Sequence, residues 1–122
     1  MKRILVVEDN EDVRLLVTRH LDELGYRVLL AGNAAEALQV VESPEKLDML
    51  FTDIVMPGKV SCEVLVKRAR EARPNLAVLL TSGFSEAAMQ GTLLANNQNA
   101  LLSKPYRKQD LAKKVREILR GG

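Results

Sequence analysis

A chain of 122 residues is the length of one domain, and with 47% hydrophobic residues it can bury a core, which excludes a disordered tail. Aromatic residues make up 3% with no Trp, so the core is aliphatic and a base-stacking platform for nucleic acid is disfavoured. The formal charge of +2 is close to neutral; its basic excess gathers at Arg107, Lys108, Lys113, Lys114, Arg116 and Arg120, and without a helix-turn-helix or zinc-finger pattern this reads as a solvated helix face.

In chain order, Ile4 to Val7 is a short β-branched apolar run that stops at Glu8-Asp9-Asn10. A run apolar on both faces predicts a central parallel strand. Val13, Leu16, Val17, His20, Leu21 and Leu24 recur at spacings of three and four, one face of an amphipathic helix, and Gly25 stands where a C-terminal cap belongs. Arg27 to Ala31 is a second strand. Asn33 is the expected N-cap of a helix through about Val41, ended by Ser43-Pro44. Met49 to Thr52 is a third strand that runs into Asp53, and a helix follows from roughly Ser61 to Arg73, stopped before Pro74. Ser61 is its expected N-cap. Leu76 to Thr81 is a fourth strand, Ser85 to about Ala95 a weaker helix, and Ala100 to Ser103 a short fifth strand. The last helix, from about Gln109 to Leu119, would bury Leu111, Val115, Ile118 and Leu119.

One cysteine, Cys62, excludes an internal disulfide and a Cys-based zinc cluster, and it reads as a structural residue. The N-terminus carries no signal-peptide pattern and no apolar run reaches membrane-spanning length, so a soluble cytoplasmic domain without membrane contact is expected. No output domain follows in the chain. The expectation is a single domain over 1–122, either standing alone or cut from a longer protein.

Five strand–helix units predict a parallel sheet covered on both faces with right-handed crossovers. Ligands of such sheets bind beyond the carboxyl ends of the strands. The residues there are Glu8 and Asp9, Asp53, Ser82 and Lys104. Three carboxylates crowded together repel, and a hard divalent cation relieves them; Mg²⁺ suits best because it keeps waters and accepts phosphate oxygens. Lys104 adds a mobile positive charge able to pair with a carboxylate or a phosphoryl oxygen. The chemistry that fits is phosphoryl transfer onto a carboxylate, with Asp53 the best nucleophile because it ends a central strand with an open turn behind it.

At these residues the chain resembles the receiver-domain family of two-component signalling. The matching segments are VVEDN (Val6 to Asn10), FTDIVMPG (Phe51 to Gly58), LLTSG (Leu79 to Gly83) and LLSKPY (Leu101 to Tyr106), and they span the chain in order. The resemblance implies a flavodoxin-like, doubly wound α/β fold of five parallel strands ordered 2-1-3-4-5 and flanked by five helices. It implies that Glu8 and Asp9 hold Mg²⁺ with Asp53 and the backbone carbonyl of Val55. Asp53 would be the phosphoacceptor, Lys104 the phosphate partner, and Ser82 the switch hydroxyl, with Thr81 as the neighbouring alternative. The partner implied is a histidine kinase or histidine-phosphotransfer domain, and the domain would be a monomer or weak dimer that contacts no nucleic acid directly. The wording around Ser82 and Lys104 is most like the C-terminal receiver of a hybrid histidine kinase.

Some positions depart from the family pattern. The aromatic residue usual three positions before the lysine is Leu101 here, so the aromatic half of the usual switch is missing. Tyr106 stands where Phe is common and reads as a packing residue. The loop after Gly58 lacks a second glycine. Val55 and Phe84, at the two positions that tune phosphoryl lifetime in the family, cannot orient an attacking water, so slow autodephosphorylation is expected. Such a domain is no enzyme in the usual sense; it assists its own phosphorylation and its slow reversal. Phosphate on Asp53 would bias the surface formed by Ser85 to Ala95 and the fourth and fifth strands. The alternative is an interaction module of the same fold that needs no phosphate. A nucleotide- or flavin-binding enzyme is disfavoured, because Glu8-Asp9-Asn10-Glu11-Asp12 is opposite in charge to a phosphate cradle.

Overall fold

The computed structural model describes residues 2–54, 58–82 and 99–121, with the backbone alone at Ser82, Asn99 and Gly121. Five strands, β1 (Arg3–Val7), β2 (Arg27–Ala31), β3 (Met49–Asp53), β4 (Ala77–Ser82) and β5 (Asn99–Ser103), form one sheet in the order β2-β1-β3-β4-β5. Every pairing is parallel, as the resemblance implied. The helices are α1 (Glu11–Glu23), α2 (Ala34–Val41), α3 (Cys62–Ala72) and α4 (Lys108–Gly121). Five flanking helices were expected and four are described; the segment Ser85 to Ala95 lies outside the described residues.

The period-two alternation of each central strand divides the core into two layers. Ile4, Val6, Met49, Phe51 and Leu79 face α1 and α4, where Val17, Leu21, Leu111 and Val115 meet them. Leu5, Val7, Leu50, Val78 and Leu80 face α2 and α3, against Ala37, Leu38, Leu65, Val66 and Ala69. This two-sided burial is why β1 and β3 are continuous apolar runs. Leu50 is fully buried, and truncation there to Ala costs about 2–5 kcal/mol.

Local signals set the helix ends. Asn10, Asn33 and Ser61 cap α1, α2 and α3, their side-chain oxygens accepting from the N–H groups of Val13 at 3.0 Å, Glu36 at 2.8 Å and Val64 at 3.1 Å. Each such cap contributes about 1 kcal/mol. Gly25 has φ of +94°, and α1 closes with Tyr26 N–H on the Leu21 carbonyl and Gly25 N–H on that of Asp22. A Cβ there would force a left-handed backbone on an L side chain. Without a second glycine, the loop before α3 places its positive φ, +124°, at Gly58.

Three expectations needed correction, the first being that Ile118 and Leu119, expected in the core, are only half-buried beside it. β4 begins and ends one residue later than its hydropathy suggests, with Leu76 held outside it by a bond to the Arg73 carbonyl. The apolar stripe of α1 is also only partly buried: Val17 and Leu21 are enclosed, whereas Val13 is 36% and Leu16 52% exposed. Val13 and Leu16, toward the amino end of α1, therefore overhang the core that Val17 and Leu21 enter.

Candidate functional site

The carboxyl ends of β1 and β3 deliver the acids. Glu8 extends the ladder one residue beyond β1, its N–H donating to the Ala31 carbonyl at 3.1 Å. Its side chain folds back and accepts the Asn10 N–H at 3.0 Å. Asn10 then starts α1, which leaves Asp9 between them exposed to solvent. Asp53 closes β3 and is buried, like Glu8. Oxygens of Glu8, Asp9 and Asp53 all lie within 4.8 Å of one another. From the end of β5, Lys104 reaches across the sheet and its Nζ contacts Asp53 Oδ2 at 2.6 Å.

The electrostatics follow from this crowding. Burial first, then Asp9 and the charge of Asp53, push the Glu8 carboxyl above its usual value, against the Asn10 N–H and the Lys104 ammonium. Proton retention by one acid is the response of a like-charged cluster that lacks enough positive charge. A donor set of hard carboxylate oxygens, open to water at Asp9, fits a hard divalent cation such as Mg²⁺. Thiolate or imidazole ligands of a softer metal are absent from this cluster.

Other residues singled out from the sequence fall around these four. Thr81 is the register partner of Asp53, is buried, and accepts the Ile54 N–H on its carbonyl at 3.0 Å. Ser82 is the last residue of β4, opposite Ser103; its side chain lies outside the described residues, as do Val55 and Phe84. Leu101 is half-buried and packs with the layer beneath α2 and α3. Tyr106 packs edge-on against Phe51, ring centroids 6.4 Å apart. Burial and the charges of Glu8 and Asp53 push its hydroxyl up to about 12. Cys62 opens α3 in a buried position, and desolvation raises its thiol to about 12 although Thr52 hydrogen-bonds it. A thiol so protonated is no redox centre at neutral pH.

Beside the acids, the overhang of α1 and the Lys104-Pro105-Tyr106 turn enclose a mainly apolar groove of about 300 Å³. Val13, Leu16 and His20 form one wall, and Lys104, Pro105 and Tyr106 the other. The exposed part of the α1 stripe is therefore a surface beside the acceptor, which hydrophobic periodicity could not distinguish from core. Sequence reading also missed Asn10 as a cap, although the acids Glu11 and Asp12 after it are a first-turn signal. It missed Arg14 as well, whose Nη1 donates to the Glu8 carbonyl at 2.9 Å, because nothing in the local pattern marks that contact.

Comparison with known proteins identifies the family. The family description "Response regulator receiver domain" matches residues 4–116. The chain is 35% identical over 98% of both chains to the response regulator receiver protein CpdR of Brucella abortus. It is 32% identical over 95% of its length to the sensor kinase CckA of the same organism, of which it spans 12%. The solved receiver domain from the hybrid histidine kinase CckA superposes with a TM-score of 0.79 at 31% identity, covering 96% of this chain and 98% of that one.

Proposed function

The chain belongs to the response regulator receiver domain family and is a phosphoacceptor signalling domain, and on that premise we propose that its acceptor is Asp53. The observation that carries this reading is the convergence of Glu8, Asp9 and Asp53 within 4.8 Å, with Lys104 on Asp53. An Asp53 carboxylate oxygen attacks the phosphorus of a partner's phosphohistidine. The O–P bond forms as the P–N bond breaks, and the imidazole leaves with the bonding electrons and takes up a proton.

Glu8 and Asp9, with Asp53 and the backbone carbonyl of Val55, would hold Mg²⁺. When bound, the ion supplies charge that screens the acids from the incoming phosphoryl oxygens. Lys104 gives up its contact with Asp53 Oδ2 for a phosphoryl oxygen, and Ser82, or Thr81 beside it, donates to another. The transfer needs positioning and charge neutralisation more than covalent help from the protein. The groove between α1 and Pro105-Tyr106 is the docking surface of the histidine-bearing partner, a histidine kinase or histidine-phosphotransfer domain. Its apolar walls adjoin the acceptor, so a partner lying there places its histidine over Asp53. The domain is no enzyme in the usual sense and only assists its own phosphorylation and slow dephosphorylation. A phosphate-independent module would have no use for three acids forced together at a cost in repulsion.

The test is incubation with Mg²⁺ and acetyl phosphate, followed by intact mass. The expected result is one added phosphoryl group, absent in Asp53→Ala and when EDTA removes the Mg²⁺, and persisting well beyond seconds. No gain in the wild-type protein, or an equal gain in Asp53→Ala, would refute the assignment.

A further inference from the structure

We infer that Arg14 is a positioning residue of the acidic pocket, holding the main chain that carries Glu8 and Asp9 in a geometry ready for the cation. The inference rests on the reading that these acids hold Mg²⁺. It starts from where the loop is tied. Glu8 N–H is bonded to Ala31 and its carboxylate to Asn10 N–H, and its carbonyl is bound by Arg14 Nη1 at 2.9 Å. Arg14 stands on α1 one turn beyond the Asn10 cap, so the contact ties the loop to a rigid element.

The guanidinium has a seat of its own. A Cβ on Gly32 would stand 3.4 Å from Arg14 Nη1 and 3.5 Å from Glu36 Oε1. The β2–α2 turn therefore meets the guanidinium closely, with no side chain between them. That turn is itself braced by the Gly32 N–H on Glu36 Oε1 at 2.8 Å. A Cβ at Gly32 would lie in ordinary van der Waals contact, and only a side chain larger than that of alanine would crowd the group that fixes Glu8.

The need for such a brace is electrostatic. Three acids within 4.8 Å drive each other apart, and the run Glu8 to Asp12 contains neither proline nor glycine to define its turn. Without the brace, the loop relaxes outward and each cation bound must pull it back. Groups that orient metal ligands in this way change affinity by about 10–100-fold when removed. Lysine cannot replace the role fully, since it lacks the planar fork of donors.

The test is a Mg²⁺ titration of the full chain without phosphodonor, read from amide chemical shifts around Asp53, with urea unfolding in Mg²⁺-free buffer alongside. Arg14→Ala is expected to weaken Mg²⁺ about tenfold, at the low end of that range, and Arg14→Lys to recover part of the loss. Gly32→Val, whose methyl groups extend beyond the Cβ position 3.4 Å from Arg14 Nη1 and crowd the guanidinium, is expected to weaken binding severalfold without altering the identity of Arg14. Added to Arg14→Ala, it should cost no further affinity, because both act through one contact. If Arg14→Ala is too unstable to titrate, Gly32→Val and Arg14→Lys carry the test. A lower urea midpoint with unchanged Mg²⁺ affinity in these variants would overturn the inference, as would full additivity of the two losses. A wild-type chain that binds no Mg²⁺ overturns the cation reading and this inference together, a result distinct from equal binding by wild type and variants.

Discussion

The two ends of the sheet both gather charged groups and use them in opposite ways. At the amino end, a cavity of about 400 Å³ is lined by Lys2, Asp48, Arg73, Asn75 and the apolar Ile118 and Leu119. Two of its charged groups are committed to structure: Arg73 donates to the carbonyls of Val41, Ser43 and Glu45, and Asp48 accepts the Arg3 N–H at 2.8 Å. At the carboxyl end, Glu8, Asp9 and Asp53 converge on one another, with Lys104 on Asp53. Like charges that converge store electrostatic energy that a cation or a phosphoryl group can release. Charges matched to backbone carbonyls store none. The larger cavity is therefore the less reactive place, and chemistry follows unreleased repulsion instead of volume.

Three measurements would break or sharpen this contrast. The largest effect is expected at the carboxyl end: Lys104→Ala should slow phosphorylation by acetyl phosphate about a hundredfold, as loss of a preorganised charge at the transition state does. A rate within a few-fold of wild type would make Lys104 an ordinary ion pair. At the other end, Arg73→Ala should lower unfolding free energy by about 2 kcal/mol, since three carbonyls lose a charged donor. Its phosphorylation rate should match wild type; a large drop would mean the two ends are coupled.

The smallest effect concerns pH. Cys62 and Tyr106 both have folded values raised to about 12, from 9.0 and 10.0. The folded chain then keeps protons that the unfolded chain releases, so stability is fully present below pH 9 and declines as pH rises towards 12. Urea midpoints measured from pH 8 upward should fall, and Cys62→Ala should shift the onset from near pH 9 to near pH 10. A midpoint flat through pH 11 would contradict the burial of both groups.

Much of this was legible in the chain because local physics decides it. Alternation of apolar strands with period-3.6 helices specified the α/β class, and Asn33 and Ser61 marked helix starts because a side-chain oxygen there satisfies a free N–H. Glu8, Asp9, Asp53 and Lys104 stood out because each follows a strand. The α1 stripe was less legible. Val13 and Leu16 share the spacing of Val17 and Leu21, and only the helix's overhang beyond the sheet leaves the first pair exposed beside Pro105 and Tyr106. Arg14 was silent, since its partner is a backbone carbonyl and its neighbour Gly32 stands on another loop.

By itself, then, the sequence determined which elements form and which residues end each strand, since hydropathy period, caps and breakers act over a few residues. The tertiary structure alone decided that three acids from two strands meet within 4.8 Å with Lys104 on Asp53. It also decided that Arg14 braces the loop bearing two of them. Those facts depend on strand order and register, which are set by packing between distant segments: Asp53 and Lys104 lie 51 residues apart along the chain, where no local pattern reaches.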